Sequence, residues 1–197
     1  MNFLTKRLPE TVTIEGKEYP IKTDFRVWLE FDRILTSNIE ETEKLVKIIT
    51  LCLDKEKGAV LPPNCWGLIA ELFKFYQTDF YKQSEKKTKG DNKQGAPVFN
   101  FEYDGEYVYA AFYEQYGIDL IDISYLHWWK FQALFKGLSE ESRIMKIVGY
   151  RNVDISEIKD KDIKKMYQKL KDTYSLPDTR TGKERENDFN VALSQMF

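Results

Sequence analysis

Thirteen of the 37 residues from Phe99 to Phe135 are aromatic. No other feature restricts the fold so tightly. Two consecutive helices are predicted through this belt. The first carries Tyr107, Val108, Tyr109, Ala110, Ala111, Phe112, Tyr113 and Tyr116. The second carries Leu126, Trp128, Trp129, Phe131, Leu134 and Phe135. At about 100° per residue these positions cover more than one face of each helix. A helix that is apolar nearly all round is either central to a core or shared between core and interface. Tyrosine and tryptophan add large contact area with a polar handle, which suits a partner surface.

The rest of the chain predicts a mainly α, compact multi-helix domain of about seven helices with a short N-terminal β-hairpin. Val12, Ile14, Tyr19 and Ile21 alternate with Thr11, Thr13, Glu18 and Lys22 around Glu15-Gly16-Lys17, a hairpin over 11–22. Pro20 fits an edge strand. A lone hairpin is marginal in water, so this one must pack on something. Thr23 or Asp24 can cap a helix through Trp28, Phe31 and Leu35. Ser37 or Asn38 can start a second helix, and Asn64 a third through Trp66, Ile69, Leu72, Phe73 and Tyr76. In the second half the expected caps are Asp104, Ser124, Ser139 and Asp160, with Gly117, Gly137, Gly149 and Pro177 as stops.

Residues 1–177 read as a single helical domain. Within it, 82–97 reads as a flexible linker or long loop. Lys82–Ala96 holds five lysines and two glycines and no large apolar residue, so ordering it would go uncompensated. Residues 178–197 read as a polar tail with a short amphipathic end at Phe189, Leu193, Met196 and Phe197.

Charge and composition narrow the function classes. Thirty basic residues face 32 acidic ones, a net charge of −2, whereas a sequence-independent nucleic-acid binder carries a basic excess. Nucleic acid is not an expected partner. No run approaches the roughly 20 apolar residues of a membrane span, and the first ten residues lack a signal-peptide core, so no membrane partner is expected and the expected site of action is the cytoplasm. Cys52 and Cys65 have no metal-site spacing and read as buried reduced thiols.

No nucleotide-binding, hydrolase or zinc-protease motif occurs, so neither enzymatic activity nor a cofactor or metal is expected. The lone His127 lies in an apolar stretch and reads as a packed or hydrogen-bonded core histidine. Asp119 and Asp122 flank a connection between helices, where they read as solvated or capping groups.

The series Tyr107-Val108-Tyr109-Ala110-Ala111-Phe112-Tyr113, Tyr116-Gly117-Ile118-Asp119-Leu120, Leu126-His127-Trp128-Trp129-Lys130-Phe131 and Ile147-Val148-Gly149-Tyr150-Arg151 resembles the bacteriophage gene-product-fifteen family of long-tailed phages and prophages. Ile21-Lys22-Thr23-Asp24-Phe25-Arg26 with Trp28 resembles that family's start. The likeness runs from about residue 10 to 175. The resemblance implies a role in tail morphogenesis, as a tail assembly chaperone acting in the host cytoplasm. Its expected partners are the tape-measure protein and the tail-tube protein, and self-association is compatible with that role. A minor structural protein kept in the tail or connector is the alternative, and a nucleic-acid-binding accessory a weaker one. The all-round apolar helices nominate Tyr109, Tyr113, Tyr116, Trp128 and Phe135 as partner-contact positions.

Overall fold

The computed structural model describes residues 3–77 and 98–177. The lysine-rich stretch at 82–97 and the tail at 178–197 lie outside the described residues. The chain folds as two units, Met1–Gly149 and Tyr150–Phe197.

The first unit opens with the hairpin, β1 (Thr11–Ile14) paired antiparallel with β2 (Lys17–Pro20). Ile14 stands opposite Lys17, so the turn is Glu15-Gly16 alone. Both turn residues have positive φ, 51° and 80°. A two-residue turn of this hand matches the right-handed twist of the strands. Val12, Ile14 and Tyr19 are buried, and β1 lies against a helix, as a marginal hairpin requires.

Seven α-helices occur among the described residues, so the protein is mainly α. They are α1 (Phe25–Thr36), α2 (Glu41–Cys52), α3 (Cys65–Tyr76), α4 (Phe101–Tyr116), α5 (Trp128–Lys136), α6 (Arg143–Asn152) and α7 (Lys161–Thr173). Asp24, Asn64 and Asp160 cap α1, α3 and α7 as the sequence indicates. Other boundaries move. The Ser37 hydroxyl donates to the Ile34 carbonyl at 2.6 Å and closes α1, so α2 starts later, capped by Glu40. Asn100, not Asp104, caps α4, its side chain accepting from Glu102 and Tyr103 N–H. Asp104 lies one turn inside, buried, and accepts from the Asn100 N–H at 3.0 Å. α5 is capped by His127 rather than Ser124. Ser139 accepts from Glu141 N–H in a turn ahead of α6, which continues past Gly149.

The core of the first unit is built around rings. Phe131 is fully buried between Phe25 (5.0 Å, 10°) and Phe112 (5.1 Å, 17°). Trp128 stacks on Phe131 and on Tyr76, at 5.7 and 5.6 Å. Offset stacked pairs of this kind add about 0.5–1.5 kcal/mol each beyond their area. The open end of α3 is closed by α5: Trp128 Nε1 and Gln132 Nε2 both donate to the Tyr76 carbonyl, and Trp129 Nε1 donates to that of Phe75. The last carbonyls of a helix need such donors. The Tyr76 hydroxyl donates to Asp32 of α1.

In the second unit, the Tyr150 ring meets Tyr167 and Tyr174, Arg151 donates to the Tyr174 carbonyl at 2.6 Å, and Lys171 donates to that of Val153 at 2.7 Å. No residue of α7 is buried.

Both cysteines are free thiols, as expected, but only Cys52 is buried; Cys65 is half-buried at the start of α3. Burial pushes the Cys52 thiol well above its ordinary value. An aromatic disulfide reagent is therefore expected to label Cys65 in the native protein and Cys52 only after unfolding. Equal native rates at the two thiols would contradict the packing. Phe131→Ala should lower the unfolding free energy by about 3–5 kcal/mol, read from urea midpoints.

Candidate partner-contact surface

The short stretch from Thr23 to Arg26 fixes the loop between α4 and α5. Phe25 N–H donates to Leu126 O at 2.9 Å, Trp128 N–H to Thr23 O at 2.7 Å, and Leu126 N–H to the Asp24 carboxylate at 3.1 Å. Thr23 Oγ1 and the Tyr125 hydroxyl share a hydrogen bond of 2.7 Å. One guanidinium nitrogen of Arg26 donates to the Leu120, Ile121 and Ile123 carbonyls at 3.0, 3.2 and 2.7 Å. The guanidinium also lies over the Phe25 ring. Arginine suits this task because its fork presents several donors on a rigid, always-charged plane.

His127 completes the crossing. Its ring is buried, with Nδ1 accepting from Trp129 N–H and Nε2 bonded to the Pro9 carbonyl, both at 3.1 Å. A backbone N–H only donates, so Nδ1 is bare and Nε2 holds the proton. Burial lowers the His127 pKa below its ordinary value.

The pinned loop places Asp119 beside α4. Asp119 Oδ1 accepts from the Ile121 and Asp122 N–H groups at 2.9 and 3.2 Å, and Oδ2 accepts from the Tyr109 hydroxyl at 3.0 Å. The two amides, with the phenol, hold the Asp119 carboxyl below the usual range. The bond to Asp119 in turn raises the Tyr109 phenol. Tyr109 stacks on Tyr113, centroids 6.2 Å apart. Tyr113 is 58 % exposed and Ile121 is 75 % exposed. Tyr113, Tyr109, Asp119 and Ile121 thus form a linked row on the surface.

The five positions nominated from sequence separate. Tyr109 and Tyr113 share this row. Tyr116 is half-buried and donates to the Leu134 carbonyl at 2.9 Å, tying α4 to α5. Trp128 and Phe135 are buried in the core, at 0 % and 3 % exposure, packed against Tyr76, Phe131, Phe99 and Phe101. A ring enclosed on all sides has no area left for a partner. Ile121 is not among the five, since its alternation with acids reads as a loop anchor.

A family model described as bacteriophage Gp15 protein matches residues 4–176. The chain belongs to this family. No curated protein and no solved structure matches it. Two of the segments that carry the family resemblance, Ile21–Arg26 and Leu126–Phe131, are brought into contact in this Gp15-family chain.

Trp66 is a second residue that the sequence misplaces. It falls on the helical stripe through Ile69 and Phe73, yet it is 74 % exposed on the first turn of α3, near the exposed Val60 and Leu61 in sequence. Periodicity locates an apolar stripe but not its edge, and Trp66 lies on the edge.

Two outcomes check this geometry. Tyr113→Ala and Ile121→Asp should change stability by no more than about 0.5 kcal/mol, whereas Trp128→Ala should cost about 3–5 kcal/mol. His127 prefers its neutral form when folded, so its contribution is complete above the unfolded pKa of about 6.5 and is lost as pH falls toward the lowered folded value. The urea midpoint should therefore drop as pH falls through the unfolded pKa of about 6.5 toward the lowered folded value, with a shallower drop in His127→Asn, where Asn can keep the cap.

Proposed function

We propose that this Gp15-family protein is a tail assembly chaperone. It holds the tape-measure protein, delivers it to tail-tube subunits in the host cytoplasm, and catalyses no reaction. Family membership supports a phage morphogenesis role. The observation that carries the chaperone reading is the Tyr113–Tyr109–Asp119–Ile121 row. It is an apolar surface with hydroxyl and carboxylate groups set among the apolar ones, locked to a rigid frame by Arg26. Amphipathic helices are bound by such surfaces, where pre-set apolar anchors lower the ordering cost of association.

Co-expression with the tape-measure protein provides the test. The wild-type chain should keep that protein soluble and co-purify with it. Tyr113→Ala combined with Ile121→Asp should abolish co-purification while circular dichroism and the urea midpoint stay unchanged. Retained binding by that folded variant would remove the row from the mechanism. Mass spectrometry of purified virions separates the alternative: a chaperone is absent from particles, whereas a structural tail or connector protein is present in fixed stoichiometry.

A further inference from the structure

The lysines of α7 differ from those of α2, α3 and α6. On α2 and α3, Lys44, Lys47 and Lys74 pair with Glu41, Glu43 and Glu71, and on α6 Lys146 pairs with Glu141. α7 carries five lysines against Asp162 and Asp172, a net of +3. Among the described residues, the side chains of Lys161, Lys164, Lys165 and Lys169 make no ion pair or hydrogen bond. Lys161, Lys165 and Lys169 follow one another at four-residue spacing and form a single ridge. Like charges at that spacing destabilise a helix by about 0.2–0.5 kcal/mol per pair.

An apolar edge runs beside the ridge. Ile163, Met166, Tyr167 and Leu170 form the stripe of α7. Tyr167 is half-buried and meets Tyr150, and Leu170 is half-buried. Ile163 and Met166 remain 47 % and 51 % exposed. Lys169 lies three residues beyond Met166, so cation and apolar edge are neighbours on the helix surface.

We propose that this edge of α7 docks an acidic amphipathic helix of a partner protein. Charge complementarity selects that occupant. A second copy would set lysine ridge against lysine ridge. A lipid surface would need a broad apolar face, and only two residues of this stripe are well exposed. This site is separate from the tyrosine row and does not rest on its assignment.

The probe is a fluorescein-labelled synthetic peptide with leucines at helical spacing flanked by glutamates, titrated against the full chain by polarisation. It should bind and weaken about tenfold or more at high salt. A double charge reversal, Lys165→Glu with Lys169→Glu, and separately Met166→Ala, should each lower affinity about tenfold or more. Tyr113→Ala should leave affinity unchanged. A lysine-flanked peptide should not bind. No binding, or binding indifferent to these α7 substitutions, overturns the proposal. Tighter peptide binding by Phe189→Glu in the full chain would instead assign the edge to the chain's own C-terminal segment. Met166-dependent dimers in sedimentation would assign it to a second copy. Capture by phosphatidylserine–phosphatidylcholine vesicles without peptide binding would assign it to a lipid surface. Each of these three results overturns the partner-helix assignment.

Discussion

The first unit depends on how the short segment Pro20–Phe25, extended up to the cap Asp24 and running into α1, shares out its backbone bonds. Ile21 N–H goes to Glu10 O, Lys22 N–H to Cys52 O, and Phe25 N–H to Leu126 O, while Pro20 O and Thr23 O accept from Asp54 and Trp128. The segment thus bonds to the chain before the hairpin, the end of α2 and the start of α5. The bond to Glu10 extends the hairpin register by one rung, and the others reach distant parts of the chain; buried amides cannot be left unpaired. Arg26 extends the same junction by holding three loop carbonyls with a charged donor, which is stronger than a neutral one. The register between the two halves of the unit is set there.

Ring orientation in the aromatic core follows from polar handles as much as from packing. Trp128 and Trp129 direct their indole N–H groups at the end of α3, and Trp28 directs its own at the Lys22 carbonyl. Tyr116 reaches Leu134 O, and Tyr109 reaches Asp119. A buried indole or phenol must find an acceptor, so each bond fixes the tilt of the ring that bears it. Phenylalanines such as Phe131 have no such demand and fill the gaps by stacking. The surface row is a by-product of this order: once Tyr109 is committed to Asp119, Tyr113 stacks beyond it and faces outward.

Much of this fold is legible in the sequence. Hairpin alternation, helical stripes and the caps Asp24, Asn64 and Asp160 all read directly, because each depends on residues within one turn of each other. The starts of α4 and α5 do not. Asp104 looks like a cap but turns back to the Asn100 N–H from inside the helix. His127 is a rare cap, and it serves here because its other nitrogen meets Pro9, 118 residues away. Ser124 satisfied every local criterion and lost to that distant contact.

Local pattern alone determined that the chain is mainly α with an N-terminal hairpin, and the residue series in the belt marked the family. Tertiary structure decided which rings are core and which are surface. On helices that are apolar nearly all round, sequence offers no polar face to read. Tyr109 and Trp128 have equal claims to either side until Arg26 and His127 fix where the intervening loop lies. The outward face of the belt is therefore a property of contacts about one hundred residues apart in sequence, which no window of local periodicity contains.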